Sequence, residues 1–182
     1  MMKDYKPLLL FLLKFLGTYI VLILLYNLYL QQYLPHDVAD PFTAFTSDST
    51  KVLLDALGFE TKSYQSLNMP YYHFWMEGQN TSIVNEGCNA LSIMIIFVAF
   101  IVAFSTTFKQ TLLYIFGGLL VIFIMNIARI ALLNWIFRYH FEYGKMAHDY
   151  LFPAIIYGTI VVLWVIWIRK FVVKKKSNEQ VA

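Results

Sequence analysis

The chain is short of charge. Of its 182 residues only 14% are Asp, Glu, Lys or Arg, while 59% are hydrophobic and 18% aromatic. Soluble domains carry about 25% charged residues, so this sequence has too little polar surface to coat a water-soluble globule. Cysteine is scarcer still. Cys88 stands alone, which excludes an internal disulfide and a cysteine zinc cluster. No His-x-x-x-His or Glu-x-x-His pair falls at helical spacing within an apolar run, so neither metal catalysis nor another cofactor is expected. Internal repeats and low-complexity tracts are also missing. The formal net charge of +3 comes from basic residues beside the hydrophobic runs, which is not the pattern of a nucleic-acid binder. The partner implied by those runs is a lipid bilayer.

What the chain has in quantity is apolar length. A helix needs roughly 20 mostly apolar residues to cross a bilayer. Runs at about residues 7–30, 89–107, 111–137 and 149–173 approach or exceed that length. The fold expected is an all-α polytopic membrane protein, with four transmembrane helices in a single membrane domain over residues 1–182. The first run is longer than a signal-peptide core and ends in Tyr29-Leu30-Gln31-Gln32 rather than small residues, so it reads as an uncleaved span. Lys14 can snorkel toward its basic end. Lys and Arg at span ends mark the cytoplasmic side. Lys3, Lys6 and Lys14 place the N-terminus inside, Lys109 places the connection between spans two and three inside, and Arg169, Lys170 and Lys174-Lys175-Lys176 place the C-terminus and its basic tail (residues 174–182) inside. An even span count satisfies all three. Residues 31–87 and the short stretch 138–147 then face outward.

The long outer loop, residues 31–87, is acid-rich, with seven acidic residues against two lysines, Lys51 and Lys62. Pro35 and Pro41 make its start irregular. Ser47-Asp48-Ser49-Thr50 reads as a helix cap, followed by Val52, Leu53, Ala56 and Leu57 on one face and Gly58 as the stop. This short amphipathic helix is expected to lie on the membrane or on the spans. His73-Phe74-Trp75-Met76 and Thr81-Ser82-Ile83-Val84 flank Glu77-Gly78-Gln79-Asn80, a possible β-hairpin that delivers the chain to Cys88.

On this topology three unusual residues share one layer. Cys88 lies at the outer entry of span two and His148 at the outer entry of span four. Arg129 lies eight residues before Phe137 in span three, roughly 12 Å deep at 1.5 Å per residue. Each has a plain alternative. A free cysteine is usually packing, and interfacial histidines are common; His36, His73 and His140 sit in loops without a comparable setting. An arginine in a span costs roughly 2.5–3.5 kcal/mol on insertion scales and calls for a partner or a function. Its structural partners would be Glu86, Asp149, Asn126 or Asn134. Together the three side chains fit acyl transfer. A thiolate is the nucleophile, and a nearby guanidinium or imidazolium favours it. His148 would protonate a leaving amine and later activate an incoming nucleophile. Arg129 would stabilise the oxyanion, with Asn89 or backbone N–H groups at the start of span two as further donors.

Glu86-Gly87-Cys88-Asn89-Ala90, Asn126-Ile127-Ala128-Arg129 and Ala147-His148-Asp149 resemble the three marked segments of the exosortase/archaeosortase family, in the same order and at successive spans. The resemblance covers roughly residues 86–167. The short length and aromatic-rich first loop are most like the small exosortase F type of Bacteroidota. Several family members read Cys-Ser-Gly where this chain reads Cys88-Asn89-Ala90. The resemblance implies a membrane-embedded cysteine protease or transpeptidase of the bacterial inner membrane, its active site facing the periplasm. It implies Cys88, Arg129 and His148 as catalytic residues, with Glu86, Asn89, Asn126 and Asp149 supporting them. The implied substrate is an exported, membrane-anchored protein with a C-terminal sorting signal of short motif, transmembrane helix and basic cluster; an accessory membrane protein is a further possible partner. The acceptor of the acyl group, whether water, lipid or glycan, stays open. So does a non-enzymatic alternative, a membrane assembly or accessory protein that uses Arg129 to bind a partner. A small transporter subunit is a third reading, and the few intramembrane charges disfavour it.

Overall fold

The structure is a computed structural model that describes residues 5–173, with the backbone alone at residues 6 and 7. The basic residues Lys3 and Lys174-Lys175-Lys176, on which part of the expected topology rests, lie outside the described residues, as does the side chain of Lys6. The elements run α1 (Lys6–Leu30), α2 (Pro41–Ala56), β1 (Thr61–Gln65), β2 (Tyr72–Met76), β3 (Gln79–Val84), α3 (Leu91–Ala103), α4 (Phe108–Tyr139), α5 (Phe141–Met146) and α6 (Phe152–Trp167). The protein is thus mostly helical and carries a small antiparallel sheet of order β1-β2-β3.

Three helical segments are long and apolar enough to cross a membrane: Leu8–His36, Phe108–Tyr139 and Phe141–Val173, with mean hydropathies of 2.6, 2.2 and 2.3. Helix α1 shows why. Leu9 and Leu13 are 62% and 68% exposed, and a helix that presents leucine outward needs lipid rather than water around it. Helix α3 has 13 residues, about 20 Å at 1.5 Å per residue, and is shorter than the run at 89–107 suggested. Ala90 precedes it, and residues 104–107 separate it from α4. Phe108-Lys109-Gln110, expected as the connection, instead forms the first turn of α4.

Contacts divide the chain into two compact units. Among the described residues, one comprises 5–26, 92–122 and 158–173; the other comprises 27–91 and 123–157. Aromatic packing organises the first. Phe97 is fully buried, and a Cβ on Gly118 would come within 2.2 Å of its ring. The glycine therefore lets the ring sit directly on the α4 backbone. Tyr114 donates its hydroxyl to the Leu163 carbonyl at 2.7 Å, and Trp167 donates its indole N–H to the Phe104 carbonyl at 3.2 Å.

The second unit holds the sheet. Helix α2 begins earlier than the expected cap at residues 47–50. Its N-cap is Asp40, whose Oδ1 accepts from the Phe42 and Thr43 amides, and Pro41 needs no donor in the first turn. The buried face also differs in part: of Val52, Leu53, Ala56 and Leu57, Leu53 packs against the core and the others are exposed. Thr43, Thr46, Ser47, Thr50 and Leu54 point inward, while Val52 and Leu57 are 66% and 64% exposed. Hydroxyls are tolerated inside because they find partners: Thr46 and Thr50 donate to carbonyls four residues back, and Ser47 meets Ser63 of β1. Gly58, with φ +91°, ends the helix as its position suggested. The hairpin forms as β2 and β3, but its turn is the two residues Glu77 and Gly78, with φ +51° and +75°. Positive φ at both central residues is the type I′ geometry that matches strand twist. Strand β1 pairs with β2 and had no clear signature, because its apolar content is a single tyrosine. Leu54, Phe74, Met76, Val84, Ile130 and Ala131 form the core here, with Cys88 packed against it.

The stretch 138–147 is helical rather than a loop. Helix α4 continues to Tyr139, and only His140 separates it from α5. Gly144 permits the corner, since a Cβ there would lie 2.3 Å from the Phe137 ring. Between α5 and α6, residues Ala147–Leu151 form a π-helical turn in which the Phe152 amide reaches back to the Ala147 carbonyl. Pro153 has no amide proton with which to continue the ordinary ladder to Asp149, so the widened turn sits where the sequence interrupts α-helical bonding.

Candidate active site

Cys88 closes a one-turn 3-10 helix, Glu86–Cys88. Asn85 builds that turn: its Oδ1 accepts from the Gly87 amide at 3.1 Å, and its carbonyl accepts from the Cys88 amide at 2.9 Å. The next residue fixes the turn to the interior. Asn89 is fully buried, donates from Nδ2 to Thr43 Oγ1 at 3.0 Å and accepts from the Leu91 amide at 2.9 Å. Thr43 in turn donates to Asp40 Oδ2, and Asp40 Oδ1 accepts the Tyr29 hydroxyl at 2.9 Å. A continuous polar chain thus runs from Tyr29 through the α2 N-cap to the residue beside the thiol. Both polar ends of Asn89 are engaged in it, so this side chain holds the loop and starts α3. Its neighbour Ala90 takes φ +64°, in the left-handed region that favours glycine.

Helix α4 grips the same turn from the other side. Asn126 is fully buried and donates from Nδ2 to the Cys88 carbonyl at 2.7 Å. Its Oδ1 has no partner. Two turns on, Asn134 accepts from Thr81 Oγ1 at 2.5 Å and Ser82 Oγ at 2.8 Å, and donates to the Ile130 carbonyl at 2.9 Å. The two asparagines tie β3 and the cysteine turn to one helix.

Cys88 and His148 line a common cavity of about 340 Å³, together with Thr81, Ser82, Ile83, Leu133, Phe137, Lys145 and Asp149. His148 Nδ1 lies 3.0 Å from Asp149 Oδ1, and Lys145 Nζ lies 2.5 Å from Asp149 Oδ2. Arg129 is not among the lining residues. It follows Asn126 by three and precedes Leu133 by four, which places it on the edge of the same helix face. Its Nε is buried without a hydrogen-bond partner. Among the described residues, none of the four partners considered for a structural role takes it up: Asp149 is paired with Lys145 and His148, Asn134 with Thr81 and Ser82, Asn126 with the Cys88 carbonyl, and Glu86 forms no ion pair with it. Glu86 heads the cysteine turn outside the cavity lining.

Thr81, Ser82 and Lys145 were not singled out in the sequence. Lys145 carried a usable signal, since Lys145 and Asp149 stand at i,i+4; that spacing has meaning only once 138–147 is read as helix. Thr81 and Ser82 carried none, because their role depends on Asn134, more than fifty positions away.

The arrangement offers a thiol and an imidazole on one cavity, with a carboxylate behind the imidazole. A family model described as transmembrane exosortase matches residues 8–171, nearly the whole chain. No curated protein matches it, and neither does any solved structure. The matched span takes in α1, the sheet and every residue of the cavity, so the family covers the site as well as the apolar helices. The chain belongs to the transmembrane exosortases, a family of multi-pass membrane cysteine transpeptidases whose substrates are proteins bearing a sorting signal.

Proposed function

We propose that this protein cleaves the C-terminal sorting signal of exported, membrane-anchored proteins through an acyl-enzyme on Cys88. The observation that carries this reading is the sharing of one cavity by Cys88 and His148 in a chain of this family. The Cys88 thiol gives its proton to His148, and the thiolate sulfur attacks the scissile carbonyl carbon. The carbonyl electron pair moves onto oxygen, where the Arg129 guanidinium offsets its charge. When that pair returns, the C–N bond breaks, and the imidazolium protonates the departing amine. The product is a thioester and a freed C-terminal tail. Water or an amine on a lipid or glycan then attacks the thioester with His148 as base, which returns the thiol.

In this reading four helices cross the bacterial inner membrane, with both termini inside and the cavity on the periplasmic face. Helix α3 crosses with help from residues 104–107, and Lys109 and Arg169-Lys170 mark the inner side. The short chain and aromatic-rich outer segment support a place near the exosortase F type. Asn126 and Asn89 support the thiol by holding its turn, and Glu86 shapes its start.

The test is co-expression with an exported protein ending in a motif, transmembrane helix and basic cluster. Wild type is expected to shift the mass of that substrate, and Cys88→Ala to abolish the shift while accumulating normally. Processing retained in Cys88→Ala rejects the thiol mechanism. A second reading, a membrane assembly protein, is favoured by one observation: Arg129 stands outside the cavity lining with an unpartnered Nε. Arg129→Lys separates the two. Lysine keeps the charge and loses the planar fork, so the enzyme reading expects a severe loss of processing, and simple charge pairing with a partner's acid expects near-normal behaviour.

A further inference from the structure

We propose that Asp149, braced by Lys145, is the positioning residue that sets the tautomer and direction of His148. The inference rests on the thiol–imidazole reading above and adds to it a second helical pair. Among the described residues, the charged side chains lining the cavity besides His148 are Lys145 and Asp149; the other lining residues are the thiol Cys88 and, from β3 and α4, Thr81, Ser82, Ile83, Leu133 and Phe137. Asp149 is the carboxylate on this cavity, and His148 Nδ1 lies 3.0 Å from its Oδ1.

That contact has a direct chemical consequence. A neutral imidazole carries one proton on two nitrogens. A carboxylate only accepts, so a proton on Nδ1 is donated to Asp149 Oδ1, and the lone pair is left on Nε2. This is the tautomer able to take a proton from the Cys88 thiol. After transfer both nitrogens bear protons, and the Asp149 charge holds the imidazolium while Asp149 stays ionised. The proton then leaves from Nε2 to the departing amine, and the ring returns to its starting form.

The backbone explains how adjacent residues come to pair. Neighbours on an α-helix diverge and do not face each other. His148 and Asp149 lie in the π-helical turn Ala147–Leu151, where more residues per turn reduce the angle between successive side chains. Single π turns of this kind occur often at functional sites. Lys145 stands one turn earlier and takes the other oxygen, Oδ2, at 2.5 Å, which fixes the carboxylate plane and leaves Oδ1 for the ring. Pro153 interrupts the ordinary ladder, so the sequence itself enforces the turn.

Cys88 is the sole cysteine, so alkylation of the full-length protein by iodoacetamide, read as intact mass, reports this thiol alone. The experiment measures the rate against pH in native membranes for wild type, His148→Ala, Asp149→Asn and Lys145→Gln. An asparagine at 149 can donate to Nδ1 and keep the proton on Nε2, the wrong tautomer for accepting from the thiol. The Asp149→Asn profile is expected to coincide with that of His148→Ala, with the neutral-pH rate down about tenfold or more. Lys145→Gln is expected to lose less than about threefold, because exposed ion pairs contribute little. A wild-type profile in Asp149→Asn beside an altered one in His148→Ala overturns this inference and leaves the parent reading standing. A wild-type profile in His148→Ala overturns both. Asp149→Ser gives the same comparison should the asparagine variant fail to accumulate.

Discussion

Replacing Asn126 by leucine should separate stability from reactivity. In the native protein its Nδ2 donates to the Cys88 carbonyl at 2.7 Å, while its Oδ1 is buried without a partner. A buried unsatisfied polar group costs about 1–3 kcal/mol. Leucine removes the orphaned Oδ1 and relieves one such cost. It also removes the donor and leaves the Cys88 carbonyl short of a partner, which restores a cost of about the same size. The volumes are similar, so no large cavity adds to the balance. The net change should lie within about 1 kcal/mol, a shift in thermal midpoint of no more than about 4 °C for a chain of this size.

Turnover should not be spared. The Asn126 bond joins positions 38 apart and is the tie from α4 to the carbonyl of Cys88. Without it the turn keeps Asn85 and Asn89 but loses its register against α4, and a misplacement near 1 Å can cost about 100-fold in rate. The assays are thermal unfolding in detergent and substrate processing, with iodoacetamide labelling as an accumulation-independent check. A midpoint fall beyond about 8 °C would mean that the orphaned Oδ1 has a partner in the membrane. Unchanged processing would mean that the Cys88 turn is held without α4. Either result refutes the argument.

Three further outcomes follow from the packing. Gly118→Ala should destabilise by about 1–3 kcal/mol as an overpacked contact, because the new methyl meets Phe97 at 2.2 Å; Gly117→Ala, with nothing within 4 Å, is the control, and thermal unfolding reads both. Ala90→Val should lower the midpoint more than Ala90→Gly, since φ +64° penalises a β-branched side chain and suits glycine. Asp55 has its acid strength increased by the hydrogen bond from Lys51 and then by that from Thr61, so its folded pKa lies below the usual 3.8. A depressed carboxyl stabilises above its unfolded value and loses that contribution as pH falls through its folded one; the advantage of wild type over Asp55→Asn at neutral pH should therefore shrink on acidification below 3.8, measured by thermal unfolding across that range.

The sequence conveyed the long helices because their signal is composition, which needs no tertiary context. It conveyed the hairpin because alternation and a turn glycine are local. It misplaced α2 for a physical reason. The rule that apolar residues face inward selected Val52 and Leu57, but the neighbour of α2 is partly polar. Ser47 meets Ser63, and Thr43 meets Asn89 and Asp40, so hydroxyls are the better-matched interior face. Val52 and Leu57 remain exposed, 66% and 64%. A helix beside a membrane has two apolar-tolerant environments, and periodicity alone does not tell them apart. In the stretch 138–147 charges and aromatics obscure the helical period, yet Lys145 and Asp149 satisfy each other at helical spacing.

Legibility of the site follows the same division. Cys88, Arg129 and His148 stand out in the sequence because each is chemically conspicuous against an apolar background. Their spatial relations were not equally visible. Cys88 and His148 line one cavity, whereas Arg129 lies at the edge of the α4 face that holds the cysteine turn. What links them is the pair of buried asparagines on α4. Asn126 takes the cysteine carbonyl, and Asn134 takes the hydroxyls of β3, so one helix sets the heights of both the cysteine turn and the strand beside it. Any sideways step of α4 would move Arg129, the Cys88 turn and two walls of the cavity together. Arg129 stands on that helix one turn beyond Asn126, with its Nε buried and without a hydrogen-bond partner among the described residues.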